Sequence, residues 1–139
     1  MSNVHWEHFE HEADIGIRGT GGTLAEAFEQ TALALSAVVT DIGLIQAQTS
    51  VNITCRDQSH DTLLYDWLNA VIYEMATRKM LFSRFNVTIE NGQLTATAIG
   101  ETIDVARHQP AAEIKGATFT ELAVQQGHDQ WFAQCVVDV

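Results

Sequence analysis

Cationic side chains are scarce in this chain of 139 residues: seven lysines and arginines stand against 18 aspartates and glutamates, a formal net charge of −11. A surface that acidic repels a phosphate backbone, which disfavours direct, tight nucleic-acid binding unless a metal or a partner intervenes. The same field attracts divalent cations and basic protein surfaces, although solubility alone accounts for it equally well. Proline occurs once and glycine nine times, too few for a Pro-rich or Gly-rich linker. No apolar run approaches the roughly 20 residues of a membrane helix. Met1–Glu10 has no apolar signal segment, so a cytoplasmic protein with no membrane partner is expected. There are two cysteines, Cys55 and Cys135, far apart and on alternating apolar positions. Their spacing fits neither zinc nor redox chemistry, and reduced, buried thiols are expected.

Several catalytic signatures are also missing. There is no nucleophile elbow and no zinc helix of the H-E-x-x-H kind. Gly16, Gly19, Gly21 and Gly22 lack the lysine and hydroxyl of a phosphate-cradling loop, and read as a tight turn feeding a capped helix. Pairing of a cysteine or serine with a histidine in space stays open.

What is present points to one domain spanning residues 1–139, with 46% hydrophobic and 18% charged residues. Thr23-Leu24-Ala25-Glu26 is a capping box, and the apolar spacing that follows predicts an amphipathic helix over Leu24–Val39. A second helix is expected from Asp61 as N-cap, with Leu64, Trp67, Leu68, Val71, Ile72 and Met75 as its apolar stripe. Elsewhere the period is two. Val51, Ile53 and Cys55 mark one strand; Ala13, Ile15 and Ile17 mark another. Asn91-Gly92 is a favoured two-residue hairpin turn, and setting Ile89, Val87 and Phe85 opposite Leu94, Ala96 and Ala98 puts the apolar residues on one face. A last hairpin is expected to join Ala117–Gln126 to Gln130–Val137. The order predicts an α+β fold: antiparallel sheet or sheets with two principal amphipathic helices.

His5, His8 and His11 invite a metal reading, but on a strand positions three apart face opposite ways and cannot converge on one ion. Asp14 lies on the polar side of an apolar strand, Asp138 is penultimate, and Val139 offers a main-chain carboxylate. Three such donors are hard oxygen ligands suited to calcium, magnesium or manganese, although aspartates near chain ends are more often simply solvated. Lys115 and the pair Arg107-His108 read first as surface or loop residues.

The motifs His11-Glu12-Ala13-Asp14-Ile15-Gly16-Ile17, Thr23–Phe28, Leu64-Tyr65-Asp66-Trp67-Leu68, Gly100-Glu101, Arg107-His108, Glu113–Phe119 and Val136-Val137-Asp138-Val139 resemble, in order and over nearly the whole chain, those of the archease family. That resemblance implies an α+β domain binding a divalent metal ion, calcium preferred, with magnesium or manganese as alternatives. It implies Asp14, Asp138 and Val139 as ligands. It further implies no enzyme but an activator of a GTP-dependent RNA ligase in tRNA splicing or RNA repair, promoting ligase guanylylation and multiple turnover and meeting RNA indirectly. Lys115, Arg107 and His108 become candidates for phosphate or ligase contacts. Phe119-Thr120 departs from the Tyr-His that many archeases carry. A small metal-dependent phosphoester hydrolase and a chaperone-like interaction module without metal chemistry are the alternatives.

Overall fold

Thr23 and Glu26 form the expected reciprocal cap: Glu26 N–H donates to Thr23 Oγ1 at 3.1 Å, and Glu26 Oε1 accepts from the Gly22 and Thr23 N–H groups at 2.9 and 3.2 Å. The helix it opens, α1, runs Leu24–Val39, as its periodicity predicts. The computed structural model describes Val4–Val139; Met1–Asn3, the start of the stretch expected to hold no secretory signal, lie outside the described residues.

Before α1 come β1 (His5–His11) and β2 (Asp14–Gly21); after it come β3 (Thr49–Arg56), α2 (His60–Arg78), β4 (Met80–Glu90) and β5 (Gln93–Thr102). A short helix α3 (Val105–His108) and the strands β6 (Gly116–Ala117), β7 (Ala123–Gly127) and β8 (Gln130–Asp138) complete the chain. The strands form two antiparallel sheets. One is ordered β1-β2-β8-β6, with β7 also pairing β8; the other is β3-β5-β4. Both helices contact both sheets, so they form the middle of three layers. The core lies there, around Phe28, Leu35, Leu64, Trp67, Leu68 and Phe82, with the Trp67 indole N–H donating to Phe28 O at 3.1 Å to join the helices. The α+β class with two principal helices is thus observed.

The β4–β5 hairpin has the expected register, Ile89↔Leu94, Val87↔Ala96 and Phe85↔Ala98. Two expectations need correction. The N-cap of α2 is Ser59, not Asp61; Asp61 Oδ1 instead accepts from Val124 N–H at 2.8 Å and ties β7 to the helix. The last hairpin is not one continuous pair: Ala117–Gln126 is broken into β6 and β7 by residues 118–122. Thr118 Oγ1 donates to Val136 O at 2.8 Å and accepts from Thr120 N–H at 3.1 Å, while Glu121 is left-handed at φ 56°. A local side-chain bond here competes with the ladder. Both cysteines are free thiols, Cys135 buried and Cys55 partly so, and burial pushes them up to about 12 and about 11.

Candidate functional site

Asp14 begins β2 and Asp138 ends β8. These strands pair from Ile15↔Val137 to Gly21↔Trp131, and one further step of that register sets Asp14 opposite Asp138. Opposed residues of an antiparallel pair hold their Cβ atoms about 4.5–5.5 Å apart and point the same way. That way is away from α1. A Cβ on Gly19 would lie 2.3 Å from Thr31 N, so the odd positions of β2 face the helix; Gly16, on the even face with Asp14, is covered by the Phe9 ring. Asp138 is exposed, and Asp14 and Val139 are half-buried. Among the described residues neither carboxylate takes part in a salt bridge. By this extension of the register two carboxylates come to one strand end, with no side-chain cation among the described residues within salt-bridge distance of either.

Lys115 N–H donates to Asp138 O at 2.8 Å, and Gly116 pairs with Asp138, so exposed Lys115 stands at the same sheet end. His11 pairs with Asp14 across the β1–β2 turn, and its Nδ1 is buried without a partner. The three N-terminal histidines do not converge: His8 Nε2 bonds to Ala34 O of α1 at 2.8 Å, whereas His5 and His11 occupy the other face of β1. What sequence reasoning missed is that, although His8 lines a hollow with Asp14, the register sets His11 directly opposite it. The signal was the two-residue spacer Glu12-Ala13, in which Glu12 takes φ 53° to close the hairpin. Asp14 also lines an open hollow of about 260 Å³ with Phe9 and Glu10. Among the described residues no three His, Cys, Asp or Glu side chains gather as a metal cluster. An ion here would need Asp14, Asp138 and the Val139 main-chain carboxylate together, a hard oxygen set that fits calcium, magnesium or manganese by its chemistry.

Arg107 and His108 do not meet those carboxylates. They converge on Glu101, at the end of β5. Glu101 Oε1 accepts from Arg107 Nη2 at 2.6 Å, and its Oε2 accepts from Gln46 N–H at 2.7 Å and from His108 Nε2 at 3.0 Å. Asp104 N–H donates to His108 Nδ1 at 2.8 Å, which selects the tautomer carrying its proton on Nε2. The Arg107 guanidinium, the Gln46 amide and the His108 ring hold the Glu101 carboxyl down to about 2 against the opposing cost of burial. Arg107 Nη1 also donates to Leu44 O at 2.7 Å, and Thr40 Oγ1 donates to His108 O. The network thus pins the end of α1, the loop after it and the end of β5. From it the chain runs past Ala111, whose N–H donates to Val39 O at 2.8 Å, to Lys115 on Asp138. Glu101, the hub, was legible only as half of the Gly100-Glu101 motif.

Fold and site together define a small α+β domain in which residues from both ends of the chain meet on an oxygen-rich sheet end. The sequence profile of the archease protein family (MTH1598/TM1083) matches residues 6–139. The chain belongs to the archease family. It is 37% identical to the protein archease of Pyrococcus furiosus, over 96% of this chain and 98% of that protein, and 33% identical to that of Sulfolobus acidocaldarius, over 98% and 99%. Protein 1598 of Methanobacterium thermoautotrophicum, solved in solution, superposes with a TM-score of 0.85 at 32% identity, covering 96% of this chain and 98% of that one. The fold also matches, with a TM-score of 0.64 at 20% identity and 96% coverage of both chains, a crystal structure from Thermotoga maritima described as an archease and possible chaperone.

Proposed function

We propose that this protein is a metal-binding accessory protein that activates a GTP-dependent RNA ligase in tRNA splicing or RNA repair, without being a catalyst itself. The observation that carries the reading is that the β2–β8 register carries Asp14 and Asp138 to the same end of neighbouring strands, neither of them in a salt bridge among the described residues, in a member of the archease family. Asp14, Asp138 and the Val139 carboxylate would hold the ion, calcium before magnesium or manganese. Bound there, it would relieve the repulsion between the two aspartates and offer unfilled coordination positions to oxygen donors. Guanylylation needs phosphates and nucleophile in line, and positioning supplies most of the acceleration in such transfers.

The chain's own residues divide the remaining work. Lys115, anchored by its main chain to Asp138, presents an exposed ammonium beside the site for a phosphate or ligase carboxylate. The Arg107 side chain keeps 38% of its surface accessible and can share its guanidinium with a phosphate or ligase group; His108, fully buried, would act by holding the segment that leads to Lys115. RNA is met through the ligase, since a chain of charge −11 does not draw it directly. Among the described residues no helix is long and apolar enough to cross a membrane, and the cytoplasm is the proposed site of action. The chaperone description of the Thermotoga relative supports a second reading, a protein-interaction module whose acidic end serves docking alone.

The experiment is ligase guanylylation followed with wild-type protein and with Asp14→Ala and Asp138→Ala. Each variant should lose at least tenfold in stimulation, as should wild-type protein in a chelator. Undiminished stimulation by both variants would end the metal reading, and stimulation that survives only the chelator would favour the docking module.

A further inference from the structure

Two exposed aromatic rings flank α2, the first of them lying on half-buried Tyr65, and nothing in the fold explains their exposure. Phe119 is 66% exposed and Tyr73 64%. Phe119 lies flat on Tyr65, ring centroids 4.3 Å apart and planes 9° from parallel, so its outer face is open. It is held there. Leu122 N–H closes a turn onto Phe119 O at 3.3 Å, and Ala117 N–H donates to Asn69 Oδ1 at 2.9 Å. Tyr65, Asn69, Tyr73 and Ala76 follow one helix face at spacings of three and four. The row ends in a half-open hollow of about 250 Å³ where Ile114 meets Ile72, Met75 and Ala76, with Lys79 and Glu113 as its charged lining. That volume is below the usual range for small-molecule sites, about 300–1,000 Å³, and suits one large apolar side chain.

We infer that this strip, from Phe119 along α2 to the hollow beside Ile114, is the docking surface for the ligase, taking an arginine on the open Phe119 face and an apolar side chain in the hollow. This rests on the activator reading proposed above. The charge argues for a basic protein occupant: the segments that build the strip carry Asp61, Asp66, Glu74, Glu113 and Glu121 against Arg78, Lys79 and Lys115, Arg78 being paired with Glu74, and the chain as a whole stands at −11. A guanidinium stacks on an aromatic face while its N–H groups reach carboxylates. A nucleobase would also stack there, but its phosphates would meet this field with the wrong sign. The strip lies beside Lys115, and hence Asp138, so a partner seated on it would stand next to the carboxylates.

The test measures Kd between the ligase of the same organism and labelled wild-type protein, Phe119→Ala/Tyr73→Ala, Phe119→Tyr and Ala76→Arg, with guanylylation followed in parallel. Thermal unfolding verifies that each variant is folded. The double variant and Ala76→Arg should raise Kd more than tenfold and raise by the same factor the concentration giving half-maximal stimulation, whereas Phe119→Tyr should bind like wild type. Unchanged Kd in the double variant while wild-type protein still stimulates overturns the docking strip and leaves the activator reading standing. Wild-type protein that binds the ligase through Phe119 without stimulating it supports the strip and overturns the activator reading. Wild-type protein that does not bind the ligase overturns both. Phe119-dependent binding of a single-stranded RNA oligonucleotide at physiological salt overturns the protein occupant.

Discussion

Glu101 shows how far one carboxylate can organise a region that is otherwise loop. Its three hydrogen bonds come from Gln46, Arg107 and His108, so one side chain ties together the segments on either side of β3–β5. The carboxyl is held down to about 2 from an ordinary 4.5, with Arg107 the largest cause. Folding therefore favours the ionised form. The contribution is complete above the ordinary value and is lost as pH falls from about 4.5 towards 2. Glu101→Gln should lower Tm at pH 7, and the gap to wild type should narrow steadily as thermal unfolding is repeated down through that window. A gap that stays constant with pH would mean the network does not depend on the charge. Glu29 has the opposite sign: burial raises it although Val87 N–H donates to its Oε2 at 2.8 Å. Its stabilising contribution is greatest at low pH and fades as pH rises through its folded value. Neither behaviour is readable from sequence, because the partners of both carboxylates arrive from distant segments.

At the scale of elements, Asp61 separates what local sequence can say from what it cannot. Read along the chain it is an N-cap; in space it is a strand anchor, its Oδ1 accepting from Val124 N–H, while Ser59 caps the helix. Asp61→Ala should cost about 1 kcal/mol, the typical net worth of such a bond, and should speed hydrogen exchange at the Val124 amide, with Asp61→Asn restoring most of both. A loss confined to the first turn of α2, with Val124 unaffected, would return Asp61 to a capping role. The same divide explains which elements were legible. The Asn91-Gly92 hairpin and the α1 capping box hold their determinants within a dozen residues, and both form with the expected register or bounds. The break at 118–122 does not, because residues 118–122 stand against Cys135 and Val136 alone in the register. That excess is set by Thr118 reaching Val136, a contact invisible until the strands are paired. Asp14 and Asp138 were legible as residue types at the two chain ends; that β2 and β8 carry them to the same sheet end follows only from the register of the two strands.

For the whole molecule the governing quantity is charge. At −11 the folded chain repels itself more than the expanded one does, so screening should stabilise it: Tm should rise as sodium chloride goes from about 0.01 to 0.15 M, where the Debye length shrinks from about 30 to 8 Å. On the metal-binding reading proposed above, calcium should add a second effect that ionic strength does not reproduce. An ion bound only by the folded state, at a concentration 100 times its Kd, stabilises by about 2.7 kcal/mol, roughly 10 °C in Tm for a chain of this size. Calcium should therefore raise Tm beyond sodium chloride of equal ionic strength. In Asp14→Asn/Asp138→Asn the two salts should act alike, and the variant should be the more stable protein when no divalent ion is present, because two facing carboxylates have become amides. Equal responses to calcium in variant and wild type would place the ion-binding capacity in the diffuse acidic surface and remove Asp14 and Asp138 from it.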